Sequence, residues 1–136
     1  MAAMTRDELQ TFLDQHFPQG YGSVEAVGEK SATLRLAVGD EHLRPGGTVS
    51  GPAMMGLADT AMYVALLAQL GPVTQAVTTN LTANFLRRPA MRDLLAEARL
   101  LRVGRRLAVG EIAIHSEGDP EPVAHVTATY ALPARD

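Results

Sequence analysis

Apolar and polar residues change their spacing several times along this chain, and each change marks a new element. Near the start, Thr5 and Glu8 stand three apart, the spacing of a capping box. Leu9, Phe12, Leu13 and Phe17 then recur at helical intervals as far as Pro18. This predicts a short amphipathic leading helix within residues 1–18. From Tyr21 to Gly39 the pattern becomes alternation, with Val24 and Ala26, then Ala32, Leu34, Leu36 and Val38, broken at Gly28-Glu29-Lys30. Two strands joined by a hairpin account for it. Residues 40–51 contain Pro45, Gly46, Gly47 and Gly51, too many breakers for a regular element, and read as a long loop.

Residues 52–70 are apolar on almost every helical position, and a helix apolar all round is buried on all sides. Gly71-Pro72 stops this central helix. Residues 73–86, 94–103, 107–116 and 123–132 follow as strand-like runs. The order of helix, two strands, apolar helix and four strands lacks the regular alternation of a parallel sheet. It predicts an α+β fold in which an antiparallel sheet of about five to six strands wraps one long helix. Residues 1–136 read as a single domain, without repeats or linkers.

The central stretch approaches the length that spans a bilayer. However, Asp59 sits near its middle and Gly/Pro loops rather than basic flanks bound it, so it reads as a core helix and no membrane partner is expected. Arg6, Asp7, Glu8 and Asp14 interrupt the N-terminus where a signal peptide would be apolar, and a cytoplasmic location is the expectation. A net charge of −3, from 12 Lys+Arg against 15 Asp+Glu, offers no basic stripe for nucleic acid. Cysteine is absent, which excludes disulfides, thiolate metal sites and cysteine nucleophiles. His16, His42, His115 and His125 are dispersed without ligand-like spacing, so no metal and no cofactor is assigned. No serine nucleophile elbow, phosphate-binding loop or dinucleotide fingerprint is present.

Candidate chemistry concentrates around the central helix. Asp59 is its only ionisable side chain besides Tyr63, and a buried carboxylate must be hydrogen-bonded, paired or protonated. One reading is structural, with Asp59 capping a loop or pairing with Arg44. The other makes it a general base or nucleophile in a water-poor pocket. Ser50-Gly51-Pro52 places a capping residue where free N–H groups favour negative charge; Pro52 has no N–H and suits the first helical position, so Gly51 or Ala53 would be the donor to an oxyanion. Ordinary capping is the alternative. In the next strand Thr78, Asn80, Thr82 and Asn84 share one parity, an uncharged polar row that fits a subunit interface, a substrate wall or a plain edge. Arg87-Arg88, Arg102 and Arg105-Arg106 lie at strand ends and turns, where they either hold phosphates or are simply solvated. Met54, Met55, Met62 and Tyr63 are candidates to line an acyl chain, or core filling.

The segment HLRPGGTVSGPAMMGLADTA (residues 42–61), followed by TTNLTANFLRRPA, the GRRLAV turn and the closing VAHVTATYAL, resembles the PaaI-like hotdog thioesterases in order and spacing over residues 41–132. The resemblance implies a hotdog fold and hydrolysis of acyl-CoA, or of an acyl carrier protein thioester. It also implies a homodimer, often paired into a dimer of dimers, with active sites at subunit interfaces. Residue by residue, Asp59 matches the catalytic carboxylate, Gly51 the N–H that polarises the thioester carbonyl, and Thr78 the hydroxyl near the attacking water. Ser50 and Arg44 stand where the family has a histidine and a polar positioning residue, and Pro52 where it has a second glycine. Arg87, Arg88, Gly104 and Arg105 fall where such enzymes approach the nucleotide part of CoA. A non-catalytic hotdog module, binding CoA esters or acting as an assembly subunit, is the alternative. A dehydratase would need a histidine near the helix.

Overall fold

The expected elements form in the expected order. In the computed structural model, which describes residues 3–18 and 20–134, helix α1 (Arg6–His16) leads. Its capping box is closed in both directions: Glu8 N–H donates to Thr5 Oγ1 at 3.2 Å, and Thr5 N–H to Glu8 Oε1 at 2.9 Å. Residues 1, 2 and 19 of the predicted leading segment, and 135–136 of the predicted domain, lie outside the described residues. Strands β1 (Ser23–Gly28) and β2 (Ser31–Leu36) make the hairpin, with Lys30 at φ 58° in its turn.

The loop at 40–51 is more regular than its breakers predict. It holds a single 3-10 turn, Asp40–His42, and a ribbon of β3 (Leu43–Arg44) and β4 (Thr48–Val49). Gly46 and Gly47, at φ 102° and 78°, supply the left-handed backbone that the tight reversal between them needs.

Helix α2 (Gly51–Leu70) follows, then β5 (Val77–Phe85), β6 (Leu94–Val103), β7 (Leu107–Ser116) and β8 (Pro122–Ala131). Six strands form one antiparallel sheet in the order β1-β2-β6-β7-β8-β5. The sheet curls around α2, whose Leu57, Ala61, Met62, Val64, Ala65, Leu66 and Leu67 are fully enclosed. Inward residues of β2, β6, β7 and β8, such as Leu34, Leu94, Ile112, Ile114 and Val126, complete the core. This is the hotdog arrangement. Among the described residues α2 is the one helix long and apolar enough to cross a membrane, and here its own sheet covers it.

One irregularity decides which way β5 faces. Thr78 pairs with Tyr130, but Asn80 pairs with Thr129, so Thr79 is an extra residue in the ladder. Because strand side chains alternate with period two, this bulge reverses the facing of all that follows. Thr78 therefore shares the inner face with Tyr130, whereas Asn80, Thr82 and Asn84 lie opposite Thr129, Thr127 and His125 on the outer face. The single polar row read from the parity of the sequence is thus split, with only its first member turned toward α2.

Leu66 has no exposed surface, so Leu66→Ala is expected to cost about 2–5 kcal/mol. Urea unfolding checks this, and a near wild-type midpoint would contradict the placement of α2.

Candidate active site

Asp59 lies in the middle of α2 on the flank that the sheet leaves uncovered. Its Oδ1 accepts two hydrogen bonds, from Thr78 Oγ1 at 2.7 Å and from the Tyr130 hydroxyl at 2.8 Å. The same phenol reaches the Asp59 carbonyl oxygen at 3.1 Å. Among the described residues nothing donates to Oδ2. Asp59, Thr78 and Tyr130 border a cavity of 290 Å³ that is closed on the other side by His16, Phe17 and Tyr63. Its aromatic wall is continuous: Tyr63 lies 6.3 Å from Tyr130, nearly parallel, and 6.0 Å from Phe17, edge to face. Burial, with the neighbouring Asp59 carboxylate adding to it, pushes the Tyr130 phenol above its ordinary range; burial alone does so for Tyr63. Both remain hydroxyl donors at neutral pH.

Arg44 does not meet Asp59 within the chain. It lines a second cavity, of 460 Å³, with Gly51, Met54, Phe85 and Arg88. The pairing that would have locked the carboxylate is replaced by the two hydroxyl donors. At this second site Ser50 is the N-cap of α2, its Oγ accepting from Ala53 N–H at 3.2 Å. Helix α2 begins one residue earlier than the proline implies, so Gly51 is its first residue and Pro52 its second. With Ala53 committed to Ser50, the Gly51 N–H is the donor left without a partner among the described residues. The ring of Phe85 lies over Gly51, where an added Cβ would stand 3.3 Å from it.

The two cavities sit at opposite ends of β5. Thr78 is beside Val77 at one end and Phe85 is at the other, about 25 Å away at the usual rise per strand residue. Along α2, Gly51 and Asp59 are separated by about 12 Å.

The arginines divide in the same way. Arg87 is tied into the turn before β8, donating to Asp119 Oδ2 at 2.7 Å and to the Glu121 carbonyl at 2.8 Å. That guanidinium holds the Asp119 carboxyl below its usual range. Arg88 has no such partner among the described residues, and both Arg87 and Arg88 line the Gly51 cavity. The turn of Gly104 and Arg105 lies at the far end, beside Ala131 and Leu132, where Leu132 N–H donates to the Arg106 carbonyl at 2.8 Å. Met62 is fully enclosed against Gly110 and cannot touch a ligand, whereas Met54 and Tyr63 each line one cavity.

Sequence reasoning missed Tyr130, His16 and Phe17. Tyr130 did leave a signal: a tyrosine on the inward parity of the closing strand carries a phenol that needs a partner in the core. For His16, only the fold shows that the end of α1 lines the same cavity as Asp59. Among the described residues no group of three or more His, Cys, Asp or Glu side chains is placed to hold a metal ion.

Ser50→Ala is expected to lower stability by about 1 kcal/mol through loss of the cap. Thermal unfolding measures it, and an unchanged transition would mean that the Oγ is not serving the helix start.

Comparison with known proteins agrees with this geometry. Residues 46–123 match the Thioesterase superfamily. A candidate esterase from Halobacterium salinarum is 32% identical over 82% of this chain and 78% of its own length. A candidate thioesterase from Silicibacter sp. TM1040, solved by crystallography, is 48% identical and superposes with a TM-score of 0.88 over 98% of this chain and 94% of that one. A thioesterase-like protein from Streptococcus pneumoniae TIGR4, crystallised with coenzyme A, shares the fold at a TM-score of 0.79 and 17% identity, over 91% of this chain and 98% of that one. The enclosed helix, the carboxylate opening from it and the match across residues 46–123 together identify this chain as a member of the thioesterase superfamily.

Proposed function

We propose that the protein hydrolyses acyl-CoA thioesters to the free acid and CoA, in sites shared by two copies of the chain. One observation carries the reading: an otherwise apolar helix opens a single carboxylate into a cavity, with one oxygen held by two hydroxyls and the other without a partner. Asp59 then either takes a proton from water as the water adds to the thioester carbonyl, or attacks that carbon itself and is released by water. The charge that develops on the carbonyl oxygen is received by the Gly51 N–H at the start of α2. The C–S bond breaks and CoA leaves as the protonated thiol. Superfamily membership supports the reaction class, and the coenzyme A held by the Streptococcus pneumoniae protein supports CoA as the acyl carrier.

Two copies are needed because a separation of about 12 Å along α2 keeps one carbonyl from touching both Asp59 and Gly51 of the same chain. β5 is an edge strand, and an unpaired edge is a template for a further strand. A second copy lying antiparallel along β5 sets the Phe85 end of one chain against the Val77 end of the other. A two-fold axis repeats the junction, so each Asp59 cavity meets a Gly51 cavity from the partner. Arg44 and Arg88 from one chain and the Gly104-Arg105 turn from the other then flank the nucleotide part of CoA. Thr78 holds the carboxylate beside the attacking water.

Release of CoA from a panel of short, medium, long and aromatic acyl-CoAs tests the reaction. Asp59→Ala is expected to lose about 10²–10⁴-fold in kcat/KM. Equal rates in both proteins would sink the mechanism, and CoA-ester binding without turnover in the wild type would favour the non-catalytic module.

Mixing tests the shared site. Asp59→Ala and Gly51→Val are each expected to be inactive alone. After subunit exchange, half the dimers are mixed and one of their two sites is intact, which restores roughly a quarter of wild-type activity. No recovery in dimers shown to have exchanged would place both groups in one chain's site.

A further inference from the structure

The cavity beside Asp59 contains one polar group whose placement neither superfamily membership nor the reaction scheme explains, the hydroxyl of Tyr130. The side chain is 3% exposed. Its ring is core, stacked on Tyr63, but its hydroxyl leaves the apolar layer to reach two atoms of Asp59 at once, Oδ1 and the main-chain carbonyl. Contact with both ends of the same residue fixes the side chain against its own helix. Thr78, paired with Tyr130 across the two strands, donates to the same Oδ1 from the inner face of β5.

The geometry points to Tyr130 as a positioning residue: with Thr78 it saturates Oδ1 of Asp59 and fixes the carboxylate so that Oδ2 is the oxygen offered to the reaction. A carboxylate with free rotation would present either oxygen, in many orientations. Here both donors act on one oxygen, so the rotamer is held and the negative charge is stabilised before substrate arrives. The elevated phenol, driven by burial, keeps its proton throughout the range in which such a reaction would be measured. The other titratable groups around the cavity are Tyr63, one turn further along α2, and His16 at the end of α1. β5 contributes none, and no arginine borders the cavity. Tyr130 is therefore the titratable side chain within hydrogen-bond distance of the carboxylate; His16 is common to wild type and variant, so the difference between the two reads the loss of the phenol.

This role rests on the hydrolytic reading for its consequence, but not for its test. The first arm needs no substrate: the ¹³C carboxyl signal of Asp59, assigned by its loss in Asp59→Ala, is titrated in the full-length wild type and in Tyr130→Phe. Loss of a donor to the charged form makes a carboxylate easier to protonate, so the midpoint in the variant is expected to lie above that of the wild type. An unchanged midpoint overturns the proposal.

The second arm measures kcat and KM on the best acyl-CoA of the panel. Tyr130→Phe is expected to lower kcat about tenfold with KM unchanged. The acid limb of its rate profile should move upward with the carboxyl midpoint. A purely structural tyrosine would lower the melting temperature and leave both the limb and kcat in place, and a change confined to KM would make Tyr130 a substrate contact; either result overturns the role. Should Tyr130→Phe lose the native circular-dichroism spectrum, Thr78→Val removes the other donor to Oδ1 from the exposed edge strand, and the same shifts are required of it. Absence of turnover in the wild type would defeat the hydrolytic reading alone, because the carboxyl titration still decides whether Tyr130 sets the state of Asp59.

Discussion

Helix α2 carries apolar side chains on nearly every side, so its stable setting in water is inside another element of the same molecule. A curled antiparallel sheet supplies that setting, but a sheet that has an edge cannot close completely. The seam runs past β5, and it is there that Asp59 and Tyr63 look out from the helix while its other faces are sealed. Enclosure and opening are thus produced by one arrangement. The strand that ends the sheet supplies the hydroxyl of Thr78, and the strand beside it supplies Tyr130.

The same enclosure fixes how the two ends of the molecule differ. In the cavity at the Val77 end a carboxylate lies beside aromatic rings, with no arginine in its lining. At the Phe85 end a helix start with an unpartnered N–H lies beside Arg44 and Arg88. The first suits proton transfer and an apolar acyl group; the second suits anions. Neither end has both halves of the chemistry, and the proposed pairing of two copies is what would join them.

Much of this was legible from residues alone, because long periodic signals report packing directly. The apolar run of α2, the capping box at Thr5 and the alternation of β6, β7 and β8 each have one physical explanation, and the resemblance around LADTA joined them into a fold. Legibility failed where one residue changes the outcome. A bulge at Thr79 has no signature in a polar strand, so the row at 78–84 looked continuous. The ribbon at 43–49 was hidden by the glycines that make its reversal possible. The parity of Tyr130 shows that its phenol needs a partner in the core, but nothing in its neighbours shows that the partner is a carboxylate 71 residues earlier. The separation of Gly51 from Asp59, by contrast, follows from the helix rise alone, without any structure.

The bulge in β5 also uncouples the two duties of that strand. On its near side sits a threonine whose orientation serves one half-buried carboxylate; on its far side Asn80, Thr82 and Asn84 lie on the outer face of the strand along which a second chain is proposed to pair. In an unbroken strand both duties would share one register, and any slip that adjusted the edge would also rotate the hydroxyl away from Asp59. With an extra residue between them, drift in the outer row leaves the inner threonine where it is. The outer row and the inner hydroxyl can therefore change separately within nine residues of one strand.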